Sequence, residues 1–258
     1  MFEKEKDMLD AFLQLVEDAD IISGWNSEGY DIPYIVNRTI KVLSKDDTRK
    51  MCLWSLPPRK RKFERFGNEE ITYDLIGRVH LDYMQLYRKY TYEERHSFSL
   101  DAISFQELGE QKTLYEGTLD SLYNNDFKTF IEYNRQDVML ISKLNNKLKF
   151  IDLANELAHA NTVLLQTTMG AVAVTEQAII NETHKRGMVV PNRPHREPHS
   201  TSAAVGAYVA TPKKGLHDYI GSIDINSLYP SIIRALNMGP ETIVGQIKQD
   251  ATTKMIEE

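Results

Sequence analysis

The sequence is short of the residues from which several classes of protein are built. Its single cysteine, Cys52, excludes an internal disulfide and any cysteine cluster for zinc. A lone thiol of this kind reads as a small buried hydrophobe in a reducing compartment. No run approaches the roughly 18 continuous apolar residues of a membrane span. No apolar stretch follows the charged N-terminus MFEKEKD, as one would in a secretory signal. The expectation is a cytoplasmic protein, neither secreted nor bound to a membrane. Internal repeats and low-complexity tracts are absent. An excess of positive charge is also absent, and the formal net charge of −6 excludes a uniformly basic nucleic-acid coat. It leaves room for local basic patches beside clustered carboxylates. What is there is 258 residues, 41% of them hydrophobic, enough for one large domain or one domain and part of another.

Apolar positions at Met8, Leu9, Phe12, Leu13 and Val16 predict an amphipathic helix over residues 3–18. A strand is expected at 20–25, a turn at 26–30 and a helix at 32–42, with Pro33 at a tolerated early position. KRKFERF and EEITYDL flank Gly67-Asn68, which predicts a hairpin over 60–75. Another strand at 78–82 precedes short helices near 83–90 and 99–107. A long helix over 127–149 carries Phe130, Ile141, Leu144 and Leu148 on one stripe, with Asp137 on the same stripe. A second long helix is expected over 161–186, ending at Gly187. PNRPHREPHS (191–200) holds three prolines in ten residues, which marks a boundary. Pro194 and Pro198 also keep His195 and His199 from forming a helical zinc pair, and Trp25 and Trp54 read as packing residues.

Three carboxylates stand out, each with two readings. Asp137 is a helical neighbour of Tyr133, four residues earlier, on a face that points inward. Burying a carboxylate without a partner is costly, so it either caps another element or meets a cation or water-filled cleft. Asp31 follows the turn at the mouth of a strand, where α/β sheets gather ligands. It is either an ordinary first-turn residue of a helix or a hard oxygen ligand suited to magnesium or manganese. Asp224 closes an apolar strand expected at 219–223 and opens DINSLYPSII. It is either an Asx-turn before a helix or a metal-holding acid whose turn N–H groups meet phosphate oxygens. The seven basic residues between Arg49 and Arg65, with Phe63 and Phe66 interleaved, suit single strands through phosphate attraction and stacking. A charged, aggregation-resistant hairpin edge is the other reading.

Taken together, these strings resemble family B DNA polymerases, especially those of T-even-like bacteriophages, over essentially the whole chain. ISGWNSEGYDIPYIVNR (22–38) resembles the second exonuclease motif, YNRQD (133–137) the third, and SIDINSLYPSIIRALNMGPETI (222–243) polymerase motif A. SFSLDAIS (97–104) and Lys112, ahead of Tyr115, resemble features between the exonuclease motifs. The resemblance implies an α/β fold: a ribonuclease-H-like 3′-5′ exonuclease domain over 1–150, a linking region over 151–195, and the start of an α+β polymerase palm over 196–258. It implies that Asp31 and Asp137 ligate metal, that Tyr133 orients the attacking water and that Lys112 supports charge on the scissile phosphate. In the palm it implies that Asp224 binds both metals and Ile225 adds a carbonyl. Backbone N–H groups near Ser227 and Leu228 would meet the triphosphate, and Tyr229 would pack under the sugar. Asn26, Arg61, Lys62, Phe63 and Arg65 would contact DNA. Each site would use two Mg2+ or Mn2+ ions, since paired cations stabilise both the entering and leaving oxygens of phosphoryl transfer.

The sequence departs from the family at several points. An Asp-x-Glu first exonuclease motif has no counterpart, nor do the fingers lysine and the Asp-Thr-Asp hairpin of the palm. Ala204-Val205-Gly206-Ala207 lacks the tyrosine of the family's linker motif, for which Tyr208 is the nearest substitute. The expectation is therefore a part or split subunit of a DNA-directed DNA polymerase with 3′-5′ exonuclease, inactive alone. Its partners would be primer-template DNA, dNTP, a complementary polymerase chain and a sliding clamp, in the cytoplasm of a bacterial host if phage-encoded. An autonomous metal-dependent exonuclease and a non-catalytic DNA-binding or assembly module are the alternatives.

Overall fold

The computed structural model describes residues 2–65, 68–110, 117–192, 208–239, 242 and 244. It divides the chain into two units, Met1–Pro194 and His195–Glu258.

In the first unit, α1 (Glu5–Val16) buries Leu9, Leu13 and Val16, the inward face that its periodicity predicts. Arg78, 2% exposed, donates to the carbonyls of Glu17 and Ala19 and so fixes the passage from α1 into β1 (Ile21–Gly24). A turn leads to α2 (Asp31–Val42), whose first turn accommodates Pro33 because an N–H there has no intrahelical acceptor. The hairpin of β2 (Arg59–Arg65) and β3 (Asn68–Asp74) follows a 3-10 turn at Asp46–Met51. Its register pairs Arg65 with Asn68, so Asn68 belongs to the strand and is not a turn residue as expected. The ion pair between Arg59 and Asp74, opposite one another at the root, favours this register. β4 (Val79–Asp82) then lies parallel to β1, with Ile21 opposite Val79 and Gly24 opposite Asp82. Parallel neighbours need a long crossover, and α2 with the hairpin supplies it.

Five helices continue the unit to residue 161: α3 (Tyr83–Tyr90), α4 (Leu100–Leu108), α5 (Leu119–Asn125), α6 (Phe127–Leu148) and α7 (Phe150–Asn161). Asp82, Ser99, Thr118 and Asp126 each accept a backbone N–H at the start of one of the first four. One core joins Leu81, Tyr83, Leu86, Tyr87, Ile103, Leu140, Leu144, Phe150 and Ala154. A second joins Leu13, Ile32, Val36, Met51, Cys52 and Leu75. Cys52 is the buried small hydrophobe expected, and burial pushes its thiol pKa up. Trp25 packs on the first core and donates to the Phe98 carbonyl at 3.1 Å. Trp54, expected to pack, is 75% exposed, with positive φ angles at Trp54 and Ser55, and only one edge of its ring lies against Gly77.

The expected helix over 161–186 is shorter. Thr162 stops α7 in the left-handed region, a 3-10 turn occupies Leu165–Met169, and α8 runs over Ala171–Lys185. Gly187 ends it as expected, at φ 72°, with its N–H and that of Met188 returning to the His184 and Thr183 carbonyls. Among the described residues no helix is long and apolar enough to cross a membrane.

In the second unit the described residues form one helix, α9 (Leu228–Ala235). The strand expected at 219–223 does not form. An extended segment becomes a strand only when a neighbour takes its N–H and C=O groups, and none among the described residues does so. Ile223, the last residue of that expected apolar strand, is 95% exposed.

Candidate functional site

A cleft of about 910 Å3 opens where β1 ends. Its lining includes Gly24, Trp25, Asn26, Ser27 and Asp31 from the β1–α2 junction, Tyr83 and Met84 from α3, and Asn134, Asp137, Ile141 and Asn145 from α6. Two of the expected acids thus face one cavity from elements far apart in the chain. Asp31 stands in the first turn of α2, where the helix dipole favours an anion. Desolvation nevertheless pushes its pKa up, opposed by its own backbone N–H. Asp137 is half-buried on α6 beside the apolar positions that pack on the core. Tyr133, one turn earlier, is half-buried and lies outside the cleft lining.

The turn between β1 and α2 is tightly built. A Cβ at Gly24 would come within 2.8 Å of the Ser27 Cβ, so only glycine fits this approach. Asn26 takes a φ of 59°, a left-handed conformation that asparagine tolerates better than most residues. The Tyr30 N–H donates to the Asn26 carbonyl and the Ile32 N–H to that of Ser27. Below the turn, the carboxylate of Asp82 accepts the N–H groups of Asn26 at 3.0 Å, Glu28 at 3.1 Å and Met84 at 3.0 Å. Desolvation pushes the Asp82 pKa up, and those three N–H groups oppose the shift. The sequence pattern marks Asp82 only as the end of a strand, although Asp82-Tyr83 after Val79-His80-Leu81 has the acid-after-strand form that drew attention to Asp224.

The hairpin root is tied to this turn. Thr72 Oγ1 donates to the Glu28 carbonyl at 2.7 Å, and Arg61 pairs with the carboxylates of Glu28 and Asp74. Arg61, expected on DNA, is thus engaged within the protein. Lys62 pairs with Glu69 across the hairpin and remains 64% exposed. Phe63 and Arg65 are strand residues of β2. Lys112 and Ala204–Ala207 lie outside the described residues.

In the second unit, Asp224 is exposed and precedes Ile225 and Asn226 in irregular backbone. Ser227 has a φ of 51° and stands at the N-cap of α9, with no side-chain cap bond. The Ser231 N–H donates to the Ser227 carbonyl at 2.9 Å. The N–H groups of Leu228 and Tyr229 then fall in the first helical turn, where no intrahelical acceptor exists. Pro230 fits that same turn.

Magnesium is held through one or two carboxylates with several waters retained. Asp31 and Asp137, with amide oxygens of Asn26, Asn134 and Asn145 in the same lining, match that donor chemistry. Among the described residues no group of three or more His, Cys, Asp or Glu gathers as a metal cage.

Residues 1–103 match the exonuclease domain of DNA polymerase family B, and residues 161–258 match DNA polymerase family B. The chain belongs to that family. The DNA-directed DNA polymerases of Escherichia phage RB69 and Enterobacteria phage T4 are 31% and 32% identical to it, each aligned over 96% of this chain. The bovine DNA polymerase delta catalytic subunit is 29% identical over 94% of it. The chain spans about 27% of the length of the two phage relatives and 23% of the bovine one. The mixed helix and strand content of the first unit is consistent with the family's ribonuclease-H-like exonuclease domain.

Proposed function

We propose that this chain carries the 3′-5′ exonuclease region and the start of the palm of a DNA-directed DNA polymerase that acts in replication. The supporting observation is that Asp31 and Asp137 line one cleft together with Asn26. The exonuclease domain extends to about residue 150, residues 151–195 link it onward, and the palm begins near 196. In the cleft Asp31 and Asp137 would hold Mg2+ or Mn2+, which when bound would lower the pKa of an attacking water and polarise the phosphate. Lys112 would support charge on the scissile phosphate, Asn26 would contact the strand, and Tyr133, which lies outside the present cleft lining, would need to turn toward it to orient the water. The raised proton affinity of Asp31 fits this role, because a cation relieves the same desolvation that a proton does. In the palm, Asp224 and the Ile225 carbonyl are metal ligands, the N–H groups near Ser227 and Leu228 receive triphosphate oxygens, and Tyr229 packs under the sugar. Primer-template DNA and dNTP are the substrates, with a complementary polymerase chain and a sliding clamp as partners. Arg61, Lys62, Phe63 and Arg65 place the hairpin against DNA, with Arg61 acting mainly through its grip on Glu28.

A second reading, an autonomous metal-dependent exonuclease, is favoured by one contrast. The first unit has buried cores, whereas no described residue of the second is buried. Incubating the purified chain with end-labelled single-stranded DNA and Mg2+ tests both. Release of 3′ nucleotides that disappears in Asp31→Ala and in Asp137→Ala supports the cleft as a nuclease site. Activity that survives both substitutions sinks it. Nucleotide incorporation that requires an added polymerase chain and is lost in Asp224→Ala supports the polymerase reading over the autonomous one.

A further inference from the structure

Asp82 accepts more hydrogen bonds than a helix cap requires. One bond to the Met84 N–H suffices to cap α3, and serine, threonine or asparagine could make it. The same carboxylate also reaches two N–H groups of the Asn26–Glu28 turn, fifty-six and fifty-four residues away in sequence. The parallel register makes this possible, because Gly24 stands opposite Asp82 and the chain leaves β1 directly beside its side chain. Only an ionised carboxylate presents acceptors on both oxygens with no donor to oppose an incoming N–H. Asp82 is 5% exposed, and it lines a separate cavity of about 340 Å3 with Glu28, His80, Gln85 and Gln166. It is absent from the lining of the larger cleft and reaches that cleft only through the backbone it holds.

The turn is also held from other directions, since Ser27 Oγ lies 2.9 Å from His80 Nε2 and Thr72 Oγ1 donates to the Glu28 carbonyl. Asp82 ties the N–H groups of Asn26 and Glu28 to that of Met84 in the helix that forms another wall of the cleft. We propose that Asp82 is a positioning residue, clamping the Asn26–Glu28 turn to the N-terminus of α3 and so setting where Asn26 and Asp31 meet a phosphate or its cation. The proposal rests on the reading of the cleft as a metal-dependent nuclease site. A group hydrogen-bonded directly to a metal ligand typically changes metal affinity by about 10–100-fold when removed, and Asp82, which acts through the turn that leads to Asp31, should fall at the low end of that range.

The test uses two variants of the full chain, with amide hydrogen exchange by NMR and Mn2+ titration followed by water-proton relaxation. Asp82→Ser keeps a good cap for α3 but is too short to bridge. Its Met84 amide should stay protected while those of Asn26 and Glu28 exchange at least about tenfold faster, and Mn2+ should bind about tenfold more weakly. Asp82→Asn keeps one acceptor oxygen and sets its amide against the Glu28 N–H, so its loss of protection should be confined to Glu28. It carries the test if the serine variant does not fold. Unchanged protection at both turn amides in Asp82→Ser, or at Glu28 in Asp82→Asn, overturns the clamp. Lost protection with undiminished Mn2+ affinity overturns the positioning role while leaving the nuclease reading intact. An unsubstituted chain that binds no Mn2+ overturns the nuclease reading and the positioning role together.

Discussion

The two units carry similar kinds of apolar residue and use them differently. In Met1–Pro194, Leu81, Leu86, Tyr87 and Leu144 vanish into a shared core. In His195–Glu258, Ile220, Ile223, Leu228, Ile232 and Leu236 are all more than 40% exposed, although Leu228 and Ile232 of α9 and Leu236 just after it recur at a helical spacing. Periodicity says which face of an element seeks burial, and burial itself requires a second surface of matching shape. An exposed apolar stripe of this kind is a contact surface by default. The acids follow the same division. Asp31 and Asp137 are set by packed elements, whereas Asp224 stands in irregular backbone without a strand behind it.

The sharpest way to break this contrast is a pair of truncations measured by urea unfolding. Leu144→Ala removes a side chain with no exposed area and should cost about 2–5 kcal/mol. Ile223→Ala, at 95% exposure, should change stability by less than about 0.5 kcal/mol. Equal costs would mean that the second unit has a core of its own.

A buried histidine of the first unit extends the comparison to pH. Burial pushes the His80 pKa down, so the folded chain keeps this ring neutral while the unfolded chain protonates it near its ordinary value of about 6.5. Stability is therefore complete above that pH and falls below it, by up to about 1.4 kcal/mol per pH unit for one proton. The fall ends once the pH passes below the depressed folded value. His80→Gln should flatten the thermal-midpoint profile below pH 6.5. Parallel profiles for wild type and His80→Gln would contradict the burial argument.

The smallest expected effect lies at the hairpin. Lys62→Ala removes an exposed side chain paired with Glu69 and should leave stability within about 0.5 kcal/mol. If Lys62 contacts a phosphate, the log–log salt slope of single-strand binding should fall by about 0.7. An unchanged slope would remove Lys62 from the DNA interface.

Much of the first unit was legible in the sequence because its signals are local. The stripe of α1, the early Pro33 of α2, the alternating hairpin strands and Gly187 each act within a few residues. The break between α7 and α8 was not legible, since it rests on a left-handed threonine at 162 where neither glycine nor proline gives warning. Nor was the exposure of Trp54, which stands with Ser55 in a pair of successive non-glycine residues of positive φ. The strand expected at 219–223 has the right composition, but pairing depends on what lies beside it. Of the candidate site, Asp31 and Asp137 could each be singled out, yet only the resemblance joined them. Asp82 went unremarked because its bonds run to backbone N–H groups, which leave no trace in residue type.

The clamp at Asp82 also has a consequence in time. The hairpin closes contacts only fifteen residues apart at its root, between Arg59 and Asp74, and can form as soon as that stretch of chain exists. The turn beneath the cleft gains its acceptor from a residue fifty-six positions downstream of Asn26. Loop closure of that length is slower than closure of a hairpin. Up to that moment the strained Asn26 conformation lacks one of its main anchors. Closing the hairpin thus orders far less chain than clamping the turn, and any stretch of this sequence that stops before residue 82 contains the Asn26 turn without its clamp.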